Sequence, residues 1–229
     1  MNHRTLLLLL LLLLTAACRL SAQQADEVTY RLELGAGIGL GGAVSDVKGK
    51  AAPAATAIAR FPLNPRMAVK TQLGYTGIKG STSGLKEYFP ADPSQGGTQR
   101  LDHAVSSAVY DLAALYELHF LPYGYERGYQ GYCRLVPYMQ MGFGLTYGPA
   151  GKAFTANVPI GLGMKWKVGP RLNLGLDWTV HFSLSDKLDG LQHPLGIKST
   201  GFRNKDHYSA ALLTLTYDLH PRCPNCNRD

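Results

Sequence analysis

The sequence lacks three features that would have assigned it to a common class of protein. Beyond residue 14 it has no apolar run approaching the roughly 20 residues of a transmembrane helix. It has no cluster of basic residues, although its formal net charge is +7, and scattered cations argue against a nucleic-acid partner. It also has no recognisable catalytic motif: no nucleophile elbow, phosphate-binding Walker loop or acid/base pair can be placed.

Metal and nucleotide sites are equally unsupported. The 7 histidines never occur at a metal-binding spacing such as H-E-x-x-H. The run GIGLGG at 37–42 satisfies G-x-G-x-x-G, but its glycines lie inside a strand-like pattern rather than between a strand and a helix. We therefore predict no catalytic residues, no cofactor, no metal and no small-molecule substrate, and expect that the protein is not an enzyme.

The N-terminus reads as a secretory signal peptide. A short basic segment, 1–4, precedes an uninterrupted leucine run, 6–14, and small residues follow. Cleavage after Ala22 is favoured. The alternative treats Thr15-Ala16-Ala17-Cys18 as a loose lipobox that would place a lipid on Cys18. The expected organisation is a signal peptide over 1–22, a β-barrel over 23–219 and a periplasmic tail over 220–229.

The mature chain alternates between apolar and polar or small residues. In the stretch 158–168, VPIGLGMKWKV, every even position is apolar, and 172–182, LNLGLDWTVHF, repeats the pattern. Alternation over about 11 residues predicts a strand with two different faces, of the length that a tilted membrane strand requires. Eight such segments are predicted: 30–40, 54–61, 67–79, 108–120, 137–147, 158–168, 172–182 and 209–219.

The connections suggest how these strands close. Residues 62–66 and 168–171 form short turns rich in proline, glycine or asparagine, whereas 81–104 and 185–206 are long and polar. Short turns on one side and long loops on the other are typical of outer-membrane barrels. We therefore predict an all-β fold, an eight-stranded antiparallel up-and-down transmembrane β-barrel of the outer-membrane type, with both termini and the segment 122–134 on the periplasmic side.

The polar face is expected to line the lumen and the apolar face to meet lipid. The lumen would then hold five cations and five anions, which can pair as a structural ionic core: Arg31, Arg60, Lys70, Lys165, Lys167, Glu33, Asp111, Glu117, Asp177 and Asp218. His119 and His181 share that face. An eight-stranded barrel encloses a space that side chains can fill, so a conducting pore is not expected.

The C-terminal half resembles a known family. The run 158–167 followed by 172–178 is similar to the PorG-type outer-membrane proteins of Bacteroidetes, and so are FSLSDKLDG at 182–190, NKDHYS at 204–209 and LTLTY at 213–217. Further upstream, LNPRMA at 63–68 and VPY at 136–138 fit the same pattern. The resemblance implies localisation in the bacterial outer membrane and a role in the type IX secretion system. It also implies association with periplasmic PorK and PorN subunits, with outer-membrane lipid as surroundings.

A docking surface for such subunits is expected in the long periplasmic turn. Tyrosine and arginine are favoured at interface hot spots, and this turn is rich in both: Tyr123, Tyr125, Arg127, Tyr129 and Tyr132, with Glu126 among them. Three rival functions stay open. They are a generic small barrel that acts in envelope stability or adhesion through its extracellular loops, a lipid-modifying enzyme, and a soluble lipocalin-like carrier.

The last feature is the CPNC run near the C-terminus. A redox site of the thioredoxin type needs a helix after the first cysteine, and a zinc site needs two more ligands, so neither is favoured. Because the tail and the segment 122–134 are expected on the same side, Cys133 can pair with Cys223 or Cys226. A Cys223–Cys226 loop and three free thiols are the alternatives.

Overall fold

The fold is a single sheet that closes on itself. The computed structural model describes residues 30–44, 48–81, 104–125, 132–185, 188 and 206–221. Nine strands run through these residues: β1 (Tyr30–Val44), β2 (Lys48–Lys50), β3 (Ala52–Asn64), β4 (Met67–Ser81), β5 (Ala104–His119), β6 (Leu135–Gly148), β7 (Ala153–Lys167), β8 (Leu172–Ser183) and β9 (His207–Pro221). Both β2 and β3 pair with β4, so together they occupy one of the eight strand positions around the barrel.

Each strand is antiparallel to its neighbours in the sheet. The order around the ring is β4, then β3 with β2, β1, β9, β8, β7, β6 and β5, and the pairing of β5 with β4 closes it. All eight predicted strands are present, including the alanine-rich one, which is β3. Within the described ranges, no helix is long and apolar enough to cross a membrane.

The two faces of each strand differ as the alternation predicts. Side chains on one face are large, apolar and exposed, as in Ile38 at 72% and Phe143 at 78% of their surface. Side chains on the other face are polar or charged and buried, as in Glu117 and Gln140. This arrangement is the reverse of a water-soluble barrel, whose apolar face would point inward, and it overturns the lipocalin-like alternative.

Close approach of the strands depends on glycine at particular positions. At Gly142, an added Cβ would collide with the carbonyl oxygen of Ala114 and lie 2.7 Å from the Cα of Leu115. At Gly35 it would collide with the carbonyl oxygen of Leu215. Because the colliding atoms belong to the backbone, no side-chain rotation could relieve the contact, so these glycines permit the tight curvature of the ring.

The connections differ from expectation at one end. The turns after β3 and after β7 are short, as predicted. They lie at the end of the barrel where Tyr30 pairs with Pro221, which is the end predicted to face the periplasm and is called the periplasmic end. However, the connection between β6 and β7, residues 149–152, is also a tight turn, and it lies at the opposite end with the long connections. It passes through Lys152, which has a positive φ of 48°. The prediction of short turns on one side and long loops on the other was therefore wrong for this connection.

Candidate functional site: a sealed, charged lumen

Arg60 is the centre of a buried ionic network inside the barrel. Its guanidinium donates from Nε to Glu117 Oε2 at 2.6 Å and from Nη2 to Glu117 Oε1 at 3.0 Å. A third bond, from Nη1, reaches Glu33 on the neighbouring strand. Glu33 also accepts from Lys165 Nζ at 2.5 Å and from the hydroxyl of Thr216. Every charged member is at most 3% exposed, so water contributes little screening and the geometry must neutralise the charges.

Lys70 extends this network across the lumen. Its ammonium lies 3.3 Å from Glu117 Oε1 and 3.8 Å from Asp177 Oδ2. His119 lies on the same side, with Nε2 at 3.7 Å from Glu117 Oε2. These contacts link β4 and β5 through side chains to β8, which does not pair with either of them.

A second ion pair lies closer to the periplasmic end. Lys167 pairs with Asp218, and the side-chain amide of Asn173 donates to the other oxygen of that carboxylate at 2.9 Å. The hydroxyl of Tyr123 donates to Asn173 Oδ1 at 2.6 Å. The turn that follows β5 is thereby tied to the wall of the barrel.

Tyr123 closes the periplasmic mouth. Its ring centroid lies 4.4 Å from Lys165 Nζ and packs edge-on against His119 at 5.7 Å. Its amide donates to Pro65 O at 2.9 Å. Burial raises the pKa of the Tyr123 phenol well above its usual range, and the charges of Glu33 and Asp218 add to this effect. Its placement in the partner surface was therefore wrong, because the ring points into the lumen.

The other residues predicted for the partner surface are only partly described. Tyr125 is half-buried beneath the guanidinium of Arg134, which lies 4.2 Å from its ring centroid. Tyr132 is half-buried and packs beside Gly124. Arg127 and Tyr129, together with Glu126, fall outside the described residues. The missed signal was local, because Pro122 and Gly124 flank Tyr123 shortly after β5, and proline and glycine indicate a turn.

Cys133 is part of this closure. It is buried, and its backbone donates to Pro122 O at 2.8 Å and accepts from Gly124 N at 3.2 Å. Its sulfur is disulfide-bonded, while Cys18, Cys223 and Cys226 lie outside the described residues. Pairing with Cys223 or Cys226 therefore stays a prediction for the connectivity.

One residue predicted for the ionic core lies elsewhere. Arg31 is exposed at the periplasmic rim, because the pairing of β1 with β3 begins only at Glu33 opposite Arg60. The predicted lumen residues Lys70, Asp111, Lys167 and Asp177 are all buried inside. Asp111 has no ion pair among the described residues, and Gln72 is its hydrogen-bonding neighbour. Of the ten residues predicted for the ionic core, four cations and five anions are thus buried, rather than five of each.

An apolar cap seals the opposite end. Leu188 enters the lumen from the connection between β8 and β9, and its amide donates to Asp206 Oδ2 at 2.7 Å. It packs in a buried cluster with Tyr208 and three others, while His181 stacks on Tyr208 at 4.4 Å. The remaining members are Ile78, Val109 and Ala153. The sequence did not predict this cap, because Leu188 lies in a connection without periodicity.

The described interior is therefore a packed structural core. Charged and polar side chains fill its middle, Tyr123 closes one end and Leu188 closes the other. Among the described residues, no group of histidine, cysteine, aspartate or glutamate side chains could hold a metal ion. The arrangement can brace the ring of strands, and it leaves the turns and the outer wall as the surfaces that meet other molecules.

These features define the class: an eight-stranded antiparallel β-barrel of the outer-membrane type, with its apolar face outward and its lumen filled. Among solved structures, the chain is similar to neisserial surface protein A, with a TM-score of 0.52 and 10% sequence identity over 85% of this chain and 100% of that one. At this identity the likeness establishes the fold alone.

Two further barrels are less similar. Ail, the attachment invasion locus protein of Yersinia pestis, has a TM-score of 0.46 at 10% identity over 84% of this chain and 100% of its own. The N-terminal β-barrel domain of Pseudomonas aeruginosa OprF has a TM-score of 0.41 at 12% identity, with the same coverage. No protein-family model and no curated protein matches the sequence.

Proposed function

We propose that this protein is a non-enzymatic barrel of the bacterial outer membrane that anchors periplasmic subunits of the type IX secretion system. The observation that carries the anchoring role is the combination of an apolar outer wall with a lumen closed at both ends. A filled barrel offers no path for a solute, while its outer wall holds it at a fixed depth in lipid. The secretion role rests on the sequence resemblance to PorG-type proteins.

The described part of the periplasmic end supports a docking role. The backbone of the turn after β5 is bonded to the turn after β3 and to Cys133, and Tyr123 fixes it to the lumen. Such bonding holds a surface in one conformation before a partner arrives, which lowers the entropic cost of association. The exposed side chains that this end offers include Arg66 and Arg134. The rest of the turn lies outside the described residues.

Retention of partners tests the proposal. Tagged protein purified from outer membranes should retain PorK-like and PorN-like subunits, and the double charge reversal Arg66→Glu/Arg134→Glu should reduce this retention several-fold. The matched control is Lys79→Glu/Lys152→Glu, which reverses two exposed charges at the opposite rim. If the wild-type protein retains neither subunit, the secretion role is refuted.

A second candidate function is a generic barrel for envelope stability or adhesion. It is supported by the Leu188 cap, which anchors the connection between β8 and β9 at the extracellular end. Deletion of the gene separates the two functions. The secretion role predicts loss of secreted cargo, whereas the generic role predicts normal secretion with increased sensitivity to detergent or reduced surface binding.

A further inference from the structure

Charge is divided between the inside and the outside of the described barrel. All six aspartate and glutamate residues in the described ranges are buried: Glu33, Asp111, Glu117, Asp177, Asp206 and Asp218. The exposed charges in these ranges are cations at the two rims. The periplasmic rim carries Arg31, Arg66, Arg134 and Arg171, and the opposite rim carries Lys50, Lys79 and Lys152. The exterior of this part of the chain therefore has no carboxylate that could pair with these exposed cations.

Two of these lysines lie directly opposite each other. Lys50 on β2 is the register partner of Lys79 on β4, and both are exposed. Like charges at directly opposed positions of an antiparallel pair destabilise it, and no described carboxylate lies on the exterior to offset the repulsion. Ser106 on β5 is the next residue in the same row and is also exposed. The row places two ammonium groups and a hydroxyl side by side, all of them able to donate to one anion.

The height of this row on the barrel indicates what the anion is. The side chains of β4 that point outward alternate, so Lys79 shares the outer face with Tyr75, four residues below it. Four residues of strand span about 13 Å. Tyr75 pairs with Tyr110 at 5.6 Å, and Tyr147 is the next residue in that row, so aromatic side chains mark the interface there. Lys50 and Lys79 lie beyond the interface, at the end opposite the chain termini, where polar headgroups are found.

We propose that Lys50, Lys79 and Ser106 form a binding site for a phosphate group of the phosphorylated glycolipid, lipid A, in the outer leaflet. The inference rests on the proposed outer-membrane location but not on the secretion role. A bound phosphate neutralises the opposed lysines and accepts the hydroxyl hydrogen bond. A lipid suits the site better than a protein partner, because the row lies on the outer wall above the aromatic side chains rather than on the mouth of the barrel.

Lipid binding by the full chain in detergent tests this site. The probes are lipid A with its phosphates, lipid A from which they have been removed, and phosphatidylglycerol, with bound lipid counted by native mass spectrometry. The wild-type protein should prefer the phosphorylated lipid A. In Lys50→Gln/Lys79→Gln its affinity should fall about 30-fold, because each lysine near a charged membrane surface contributes about 1 kcal/mol.

The matched control is Arg31→Gln/Arg171→Gln, which removes two exposed cations at the other rim and should bind lipid A as the wild type does. Retention of the compact gel mobility of unboiled samples shows that each variant is folded. Equal affinity of the lysine variant and the wild type would overturn the proposal. Equal losses in both double variants would overturn it as well, since the effect would then be one of net charge. Equal binding of phosphatidylglycerol and lipid A would overturn the choice of ligand.

Discussion

Replacement of Arg60 by methionine tests whether the lumen network holds the barrel together. Arg60 contacts two carboxylates, on β1 and β5, and all three groups are at most 2% exposed. Removing one partner of a buried ion pair typically costs about 3–5 kcal/mol, because an uncompensated charge remains. Here Lys165 still neutralises Glu33 at 2.5 Å and Lys70 still neutralises Glu117 at 3.3 Å. We therefore expect a loss near the lower limit, about 3 kcal/mol.

Urea titration of the detergent-folded protein measures this loss. The folded fraction can be read from the mobility of unboiled samples and from the fluorescence of Trp166 and Trp178. Arg66→Met is the matched control, because Arg66 is an exposed arginine in the turn of the same hairpin, and its replacement should change the free energy of unfolding by less than about 0.5 kcal/mol.

A double variant separates charge from packing. Arg60→Met/Glu117→Gln removes one of the two carboxylates that Arg60 bonds, so it should recover part of the lost stability through a favourable coupling of about 0.5–3 kcal/mol. If Arg60→Met unfolds at the same urea concentration as the wild type, the ionic network does not stabilise the barrel and the reasoning is wrong.

Three further predictions concern the wall, the mouth and the disulfide. Gly142→Ala should destabilise the barrel by about 1–3 kcal/mol, because its Cβ would meet backbone, whereas Gly169→Ala, whose Cβ would have its nearest neighbour at 3.7 Å, should be nearly neutral in the same titration. Because burial raises the pKa of Tyr123, its phenol stays protonated in the folded state above about pH 10, where the unfolded phenol ionises. The free energy of unfolding should thus fall as pH rises above that value, and Tyr123→Phe should remove this part of the alkaline loss; an unchanged alkaline loss would contradict the burial. Cys133→Ser should cost about 2–4 kcal/mol under oxidising conditions and nothing under reducing ones, and non-reducing peptide mapping should join Cys133 to a peptide containing Cys223 or Cys226.

The alternation of polar and apolar residues along the strands predicted most of the side chains that line the lumen. Alternation places every second residue on one face, so Lys70 and Asp177 could be assigned to the interior without any knowledge of their partners. The pattern failed at a strand end. Arg31 has the parity of Glu33, but the pairing of β1 with β3 ends at Glu33, so Arg31 lies at the exposed rim.

The partner surface was harder to predict, because the composition of a turn does not show in which direction each side chain points. Tyr123 and Tyr125 lie two residues apart in one turn, yet Tyr123 enters the lumen and Tyr125 stacks under Arg134. Outside a strand the backbone has no fixed period, so a side chain's direction depends on tertiary hydrogen bonds such as that from Tyr123 to Asn173. The Leu188 cap was missed for the same reason.

The sequence by itself determined the number of strands, their length, and which face is polar, because these follow from a period of two that each segment carries locally. Only the tertiary structure decided which charges pair, since Arg60, Glu33 and Glu117 come from three strands whose register is fixed by closure of the ring. It also decided how the ends of the described interior are covered, because Tyr123 and Leu188 lie in connections. The opposed lysines at the rim depend on register as well, so no local pattern could have revealed them.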